Sequence, residues 1–352
     1  TIESGKQVNV GVTRAAQQRT QNNYEGDLLS GAVFGKNDKD NRSEDQSIGS
    51  RVSAQGTLRV TSDDVLITGS QVLGQQDAVL ISNSGSLTID GSQSLVHPEK
   101  SRSDSKLFGL FKDQTDERKN ASNLVRSQVK SQSNLRLQSA SDLNVIGADV
   151  EAKAGLKLSA AGNINLLAGT SRDTTVTQTT HNGFTSSATE TKQAAPGIKG
   201  SKQFQAGVGY SQEHNTTTQD SLTHEGSQLK GATVDITAEN TVRVKASDVS
   251  STQGDLNIAG HAIELLSEAD TTTRVSETDT FGLGHFVTGG MDRAGGGYKV
   301  GQEEVITSSA STTVKSSHLS SAGDLNLVAD KGQGTLLTEA AQVKADKNLT
   351  LS

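Results

Sequence analysis

The stretch Ser127–Thr170 contains one unit written twice. Moving 21 residues on from Val129, Leu135, Leu137, Leu143 and Val145 leads to Val150, Leu156, Leu158, Ile164 and Leu166. The turn residues follow, Asp142 mapping to Asn163 and Asn144 to Asn165. Within each unit the apolar residues come as alternating pairs, the period-2 pattern of a strand with one buried face. Two such strands and a lone Val per unit make a coil with three short sides. One coil cannot bury its inner face alone, so coils must stack and pair their backbones with those above and below. The pattern predicts an all-β fold, a parallel β-solenoid of about 21 residues per coil. Leucine-rich repeats share this period, but Leu135-Arg-Leu137-Gln-Ser-Ala lacks their buried Asn and two strand pairs leave no room for a helix.

Four stretches carry the coil pattern: 50–91, 127–170, 228–268 and 317–352. The first places Val52, Leu58, Val60, Val65, Ile67, Val72, Val79, Ile81, Leu87 and Ile89 in the repeating inner set. A corner phrase recurs as DLNV from Asp142, NINL from Asn163, DLNI from Asp255 and DLNL from Asp324. There the Asp or Asn is expected to bond its own backbone, while the two aliphatics point in and the middle Asn points out. Excursions over 11–49, 92–126, 171–227 and 269–316 separate these stretches. Each closes on a similar signal: Ser50-Arg-Val52, Ser127-Gln-Val129, Ser227-Gln-Leu229 and Ser317-His-Leu319.

Every aromatic residue lies in an excursion. Thr/Ser/Gln-rich arms flank Gly-rich apolar centres, GAVFG (31–35), LFGLF (107–111), FQAGVGY (204–210) and FGLGHFV (281–287). Thr-rich arms reading out and back predict long β-hairpins projecting from the solenoid. In 203–211 the alternation is strict and puts Phe204, Ala206, Val208 and Tyr210 on one face. Such centres either pack on the solenoid flank or contact a partner or a bilayer, and 203–211 is near the nine to eleven residues of a membrane β-strand. The candidate contact residues are Phe34, Phe108, Phe111, Phe184, Phe204, Tyr210, Phe281, Phe286 and Tyr298.

Apolar content of 32% and a mean hydropathy of −0.48 are low for a single core of 352 residues, but enough for a narrow interior of stacked ladders. A net charge of −7 argues against a nucleic-acid surface. No apolar run is long enough for a transmembrane helix, and no signal peptide is visible. Zero cysteines removes disulfides and thiolate chemistry. Thr1 opens without Met and Ser352 follows Leu349 and Leu351, so the chain reads as cut from a longer array.

Chemistry is sparse. Asp63 and Asp64 are strand neighbours and point to opposite faces, and Asp64 sits at a corner. Glu303-Glu304 reads as solvated charge. The histidines (97, 181, 214, 224, 261, 285 and 318) show no ligand spacing, although three share one excursion. No nucleophile elbow, phosphate loop or calcium repeat occurs. The expectation is a non-enzymatic chain with no cofactor, no metal and no small-molecule substrate; a polysaccharide-degrading solenoid would need carboxylates clustered on one solenoid face.

The SxVxSxGxLxLxA coils, as in Ser50–Val60, Ser127–Leu137 and Ser317–Leu327, resemble the haemagglutinin repeats of filamentous-haemagglutinin-like exoproteins. Two coils alternating with Thr/Ser-rich, Phe-Gly-tipped excursions are similar to the second repeat region of contact-dependent growth inhibition effectors. That resemblance implies a right-handed β-helical filament secreted from a Gram-negative cell through a partner outer-membrane transporter, a route that the absence of cysteine fits. It also implies that this region engages the target cell's outer membrane, or a surface receptor, and helps deliver a C-terminal toxin. The alternative it carries is an adhesive filament on host cells.

Overall fold

The computed structural model describes residues 1–26, 34–107, 110–193, 201–289, 294–330 and 334–352. Three parallel sheets of nine, eight and eight strands form the sides of a solenoid, and each coil contributes one short strand to each side. The 21-residue shift is the observed register: Val129 pairs with Val150, Leu135 with Leu156 and Leu143 with Ile164. One inner column runs Val60, Leu80, Leu137, Leu158, Ile236, Ile258, Leu327. All seven are buried. Because each coil touches only its neighbours, the core is a set of such columns rather than one globular centre.

One coil departs from the sequence reading. In Ala78–Ser82 the inward residues are Ala78, Leu80 and Ser82, whereas Val79 and Ile81 point outward. The run is apolar throughout, so alternation within it does not choose a face. Its neighbours choose: Val79 pairs with Arg59 below and Arg136 above, both on the solvent side. A one-residue slip would turn Leu80 out of its inner column between Val60 and Leu137.

The corner aspartates also act differently from expectation. Asp142 Oδ1 accepts the backbone N–H of Asn163, on the next coil, at 2.7 Å, and Asp255 does the same for Asp324 at 2.8 Å. They tie coil to coil instead of closing their own turn. The middle Asn residues do face out, and the Asn165 side chain bonds that of Asn144 at 2.9 Å.

Four hairpins leave the solenoid, all from the corner between the second and third sheets. Their strands are Val12–Gly26 with Phe34–Gly49, Ser92–Lys106 with Phe111–Val125, Gly169–Gln193 with Ser201–Glu225, and Glu268–Gly289 with Ala294–Lys315. They are not separate projections. Neighbouring hairpins pair along their edges, making one eight-stranded antiparallel sheet, a wing beside the solenoid. The reason is a match of spacings. Two coils rise by two strand separations, about 9.6 Å, and a hairpin is two strands wide, also about 9.6 Å. Two coils per hairpin therefore set adjacent hairpins at hydrogen-bonding distance. Side-chain contacts stitch the seams, among them the Lys119–Asp173 ion pair and the His181–Asp113 hydrogen bond.

The closing serines hold the wing's base. Ser227 Oγ donates to the Leu167 carbonyl at 2.7 Å, Ser317 Oγ to Leu266 at 2.6 Å, and Ser50 Oγ to Gly11 at 2.7 Å. Ser127 bonds Asp90 in the same way. Each carbonyl lies within two residues of the point where the chain departs into the hairpin. Where no hairpin leaves, the corner is turned by a left-handed residue, as at Gly69 (φ 53°) and Gly147 (φ 52°).

Candidate contact surface

The third and fourth hairpins outgrow the others. Their strands run 25 and 22 residues, against 15 or 16 in the first two. Pairing between the second and third hairpins stops at Lys112 with Asn182. Beyond that point the wing is four strands wide.

Cross-strand partners in an antiparallel sheet point to the same face, so the register assigns the faces of this extension. Going outward, one face carries the row Asn182, Gln212, Phe281, Gln302, and then Phe184, Tyr210, Leu283, Val300. The next rows are Ser186, Val208, His285, Tyr298 and Ala188, Ala206, Val287, Gly296. Phe204 follows, beside Gly289 and Ala294. Eight large apolar side chains on this face, Phe184, Phe204, Val208, Phe281, Leu283, Val287, Tyr298 and Val300, are 42–81% exposed. Contiguous apolar patches on soluble proteins mark contact sites for a partner or a membrane when they are large. Rings meet within it: Phe184 stands 5.7 Å from Tyr210, and Tyr298 stands 5.1 Å edge-on from His285. Phe111, at the end of its strand, reaches Phe184 at 5.7 Å.

The opposite face alternates with it and is built of Gly183, Gly207, Gly209, Gly282, Gly284, Gly295, Gly297 and Gly301 with Thr185, Ser187, Ser211 and Lys299. Phe286 lies here, half-buried across Gly207 and Gly297. A Cβ at Gly297 would come within 2.9 Å of its ring. Two faces of opposite character follow from simple alternation of apolar residues with glycine.

The sequence-chosen aromatics therefore divide. Phe184, Phe204, Tyr210, Phe281 and Tyr298 share the apolar face, and Phe286 is on the other. Phe34 is exposed on the first hairpin, paired opposite Lys106. Phe108 lies outside the described residues. Val208, Leu283, Val287 and Val300 belong to the patch although selection by aromatic character passed over them. Their signal was the alternation itself, as in Phe281-Gly-Leu283 and Tyr298-Lys-Val300.

Just inward on the same face the chemistry changes. Carboxylate oxygens of Glu277, Asp279 and Glu304 lie within 4.8 Å of one another. Glu303 and Glu304 are both exposed, as their reading as solvated charge expects, and the trio sits on the open wing, away from the solenoid. The three histidines of the third hairpin do not converge: His181 pairs with Asp113, His214 contacts the Thr180 hydroxyl, and His224 contacts Asp270 at the base. Nearby, the Arg172 guanidinium and the Thr174 hydroxyl hold the Asp220 carboxyl below its usual range. No helix among the described residues is long and apolar enough to cross a membrane, a finding silent about strands.

The family profile described as Hemagglutinin repeat matches residues 108–208 and 208–352, most of the chain. The chain belongs to the haemagglutinin-repeat family. It is also similar to a protein named hemolysin from Serratia marcescens, 28% identical over 334 residues, 93% of this chain and 20% of that protein. A hemolysin from Proteus mirabilis is 26% identical over 283 residues, 80% of this chain and 17% of that protein. The chain spans about a fifth of the length of these curated relatives. No solved structure matches it. These likenesses place this haemagglutinin-repeat chain among secreted, filamentous-haemagglutinin-type exoproteins of Gram-negative bacteria.

Proposed function

We propose that this segment is a non-enzymatic part of a secreted filament whose wing engages the outer membrane of a target cell, supporting delivery of a toxic part of the longer protein as in contact-dependent growth inhibition. The observation that carries the reading is the apolar face of the four-stranded extension. Eight exposed large side chains held on rigid backbone gain about 25 cal/mol for each Å² taken out of water. The solenoid in this reading is a spacer: it fixes where the wing stands and leaves its apolar end free. The acidic trio just inward marks where the apolar band ends and limits how deep the extension sinks. A second reading rests on the relatives, both named hemolysins, and makes the target an animal-cell membrane. An adhesive filament acting on a host receptor is the remaining reading.

Vesicle flotation tests this. The protein is mixed with vesicles of bacterial outer-membrane lipid and, separately, of phosphatidylcholine with cholesterol. It is compared with a variant carrying Phe204→Ser, Phe281→Ser, Leu283→Ser and Tyr298→Ser. The expected result is flotation of the parent, loss of flotation in the variant and an unchanged solenoid melt. The lipid that floats it distinguishes the first two readings. A variant that floats as well as the parent refutes membrane contact through this face. A parent that floats with neither lipid but binds intact cells, in a protease-sensitive way, favours a protein receptor.

A further inference from the structure

The glycine face of the extension holds a depression of about 590 Å³, within the size range of small-ligand sites. Its floor is Gly209, Gly282, Gly284 and Gly301, on three neighbouring strands. The register sets Phe286 at its outer end and Thr280 with Glu303 at its inner end. Thr185 and Ser211 stand on one flank and Lys299 on the other. We propose that this depression binds a cell-surface oligosaccharide, with a pyranose ring lying flat on the glycine floor. The site is on the face opposite the apolar patch and does not depend on membrane contact.

The fold does not require most of this floor to be glycine. Glycine weakens a strand, and inside one it marks a bulge, a bend or a place where something approaches the backbone closely. Pairing runs unbroken across the floor strands, so no bulge accounts for it. Nor does φ: among the described residues the glycines at positive φ are Gly69 and Gly147, both at solenoid corners. Packing leaves room as well. A Cβ at Gly282 or Gly301 would meet nothing within 4 Å, and at Gly284 it would meet the Val208 carbonyl at an ordinary 3.6 Å. Gly209 is tighter, 3.0 Å from the Leu283 carbonyl. Gly297 shows the contrast, because the Phe286 ring already fills the place of its Cβ. One of the chain's own rings lies over glycine there, whereas the floor beside it stays open. Close approach of a ligand is the reason that remains.

The rim indicates the class of ligand. Further in on the same face, polar side chains bond to one another. The Thr217 and Ser276 hydroxyls lie 3.1 Å apart, those of Ser221 and Thr272 3.2 Å, and Asn215 Nδ2 donates to Thr278 at 3.0 Å. Around the depression this pairing stops. The hydroxyls of Thr185, Ser211 and Thr280, the Lys299 ammonium and the Glu303 carboxylate have no side-chain partner among the described residues. They supply one group that only donates, one that only accepts and three that do both. That assortment suits a ring of hydroxyl groups, whose C–H face can rest on glycine backbone and against Phe286. Other occupants fit less well. A peptide strand joins a sheet at its edge, not on its face. An acyl chain would cover the Lys299 and Glu303 charges without pairing them, and Glu303 repels a phosphate backbone.

The test fills the floor without disturbing the fold. Gly282→Val and Gly301→Val are combined in one variant; both side chains enter open space, and valine suits a strand better than glycine. Its Tm should therefore equal or exceed the parent's. Both proteins are titrated with core oligosaccharide freed from lipopolysaccharide by mild acid, and both are applied to an array of mammalian cell-surface glycans. The expected result is binding of the core oligosaccharide by the parent, weakened by about tenfold or more in the variant. Vesicle flotation should be the same for the two, since the apolar face is untouched. Binding to mammalian glycans instead, lost in the same variant, supports the site and identifies the other source of the sugar. Equal binding by parent and variant overturns the proposal, as does a parent that binds neither class. A parent that sediments as a dimer where the variant is monomeric also overturns it, in favour of glycine faces meeting copy to copy.

Discussion

If the wing is continuous because coil pitch and hairpin width agree, then adding one coil should split it at one place. Duplicating Gln128–Ala148 inserts a 21-residue coil between the second and third hairpins, since Gln128 stacks on Asp149. The inserted coil has the same inner columns as its neighbours, so the solenoid should lengthen without strain. The hairpins, however, move apart by one further strand separation, about 4.8 Å, well beyond hydrogen-bonding reach. Eleven residue pairs cross this seam, from Lys112 with Asn182 to Ser122 with Arg172. At the low end for a net backbone bond, about 0.5 kcal/mol each in so exposed a sheet, the loss is on the order of 5 kcal/mol. The seam ion pairs add little, since exposed pairs contribute about 0–1 kcal/mol. Hydrogen exchange with mass spectrometry reads this directly. Alternate amides of Lys112–Ser122 face the third hairpin, and their exchange should accelerate by roughly a thousand-fold or more. Amides of the inner columns should be unaffected. Unchanged protection along the seam would refute the reasoning, because something other than coil pitch would then be holding the hairpins together.

The remaining predictions concern single residues. Leu158→Ala removes a fully buried side chain from the middle of an inner column and should cost about 2–5 kcal/mol in urea unfolding, with exchange rising mainly in the adjoining coils. Ser227→Ala withdraws a buried hydroxyl from the Leu167 carbonyl and should cost about 1–3 kcal/mol, whereas Ser50→Ala, at an exposed position, should cost less; equal losses would contradict the role given to burial. Burial raises the Asp90 carboxyl above its usual value, against an opposing hydrogen bond from the Gly91 N–H. Its charged form therefore weakens the fold at neutral pH, and that penalty is relieved as pH falls through the raised value toward the ordinary carboxylate value. Asp90→Asn should accordingly raise Tm at pH 7, with the gain shrinking in mild acid; a gain independent of pH would count against this assignment. Gly147→Ala should destabilise, since a Cβ there sits 2.7 Å from the Leu124 side chain at a left-handed φ.

The sequence alone determined the solenoid. Period-2 pairs repeating every 21 residues leave little else for the chain to do, because the same apolar positions must meet in every coil. It also located the hairpins, through their Thr-rich arms and closing serines. What it left open was every question of which neighbour faces which residue. The wholly apolar run Ala78–Ser82 has no alternation to choose a face for Val79 and Ile81, and pairing with the adjacent coils, where Arg59 and Arg136 lie outward, chooses it. The aspartates at the corners look like turn residues in any single coil, and their bonds to the next coil exist only once coils are stacked. The aromatic residues could be named as a group, but the split between Phe184, Phe204, Tyr210, Phe281 and Tyr298 on one face and Phe286 on the other comes from pairing register across four strands. The union of four hairpins into one sheet depends on two lengths, the rise of two coils and the width of one hairpin, that no local pattern contains. A solenoid is legible one coil at a time, whereas a wing is decided by pairings between residues 49 to 85 apart in the chain, and those are fixed only when the coils are in place.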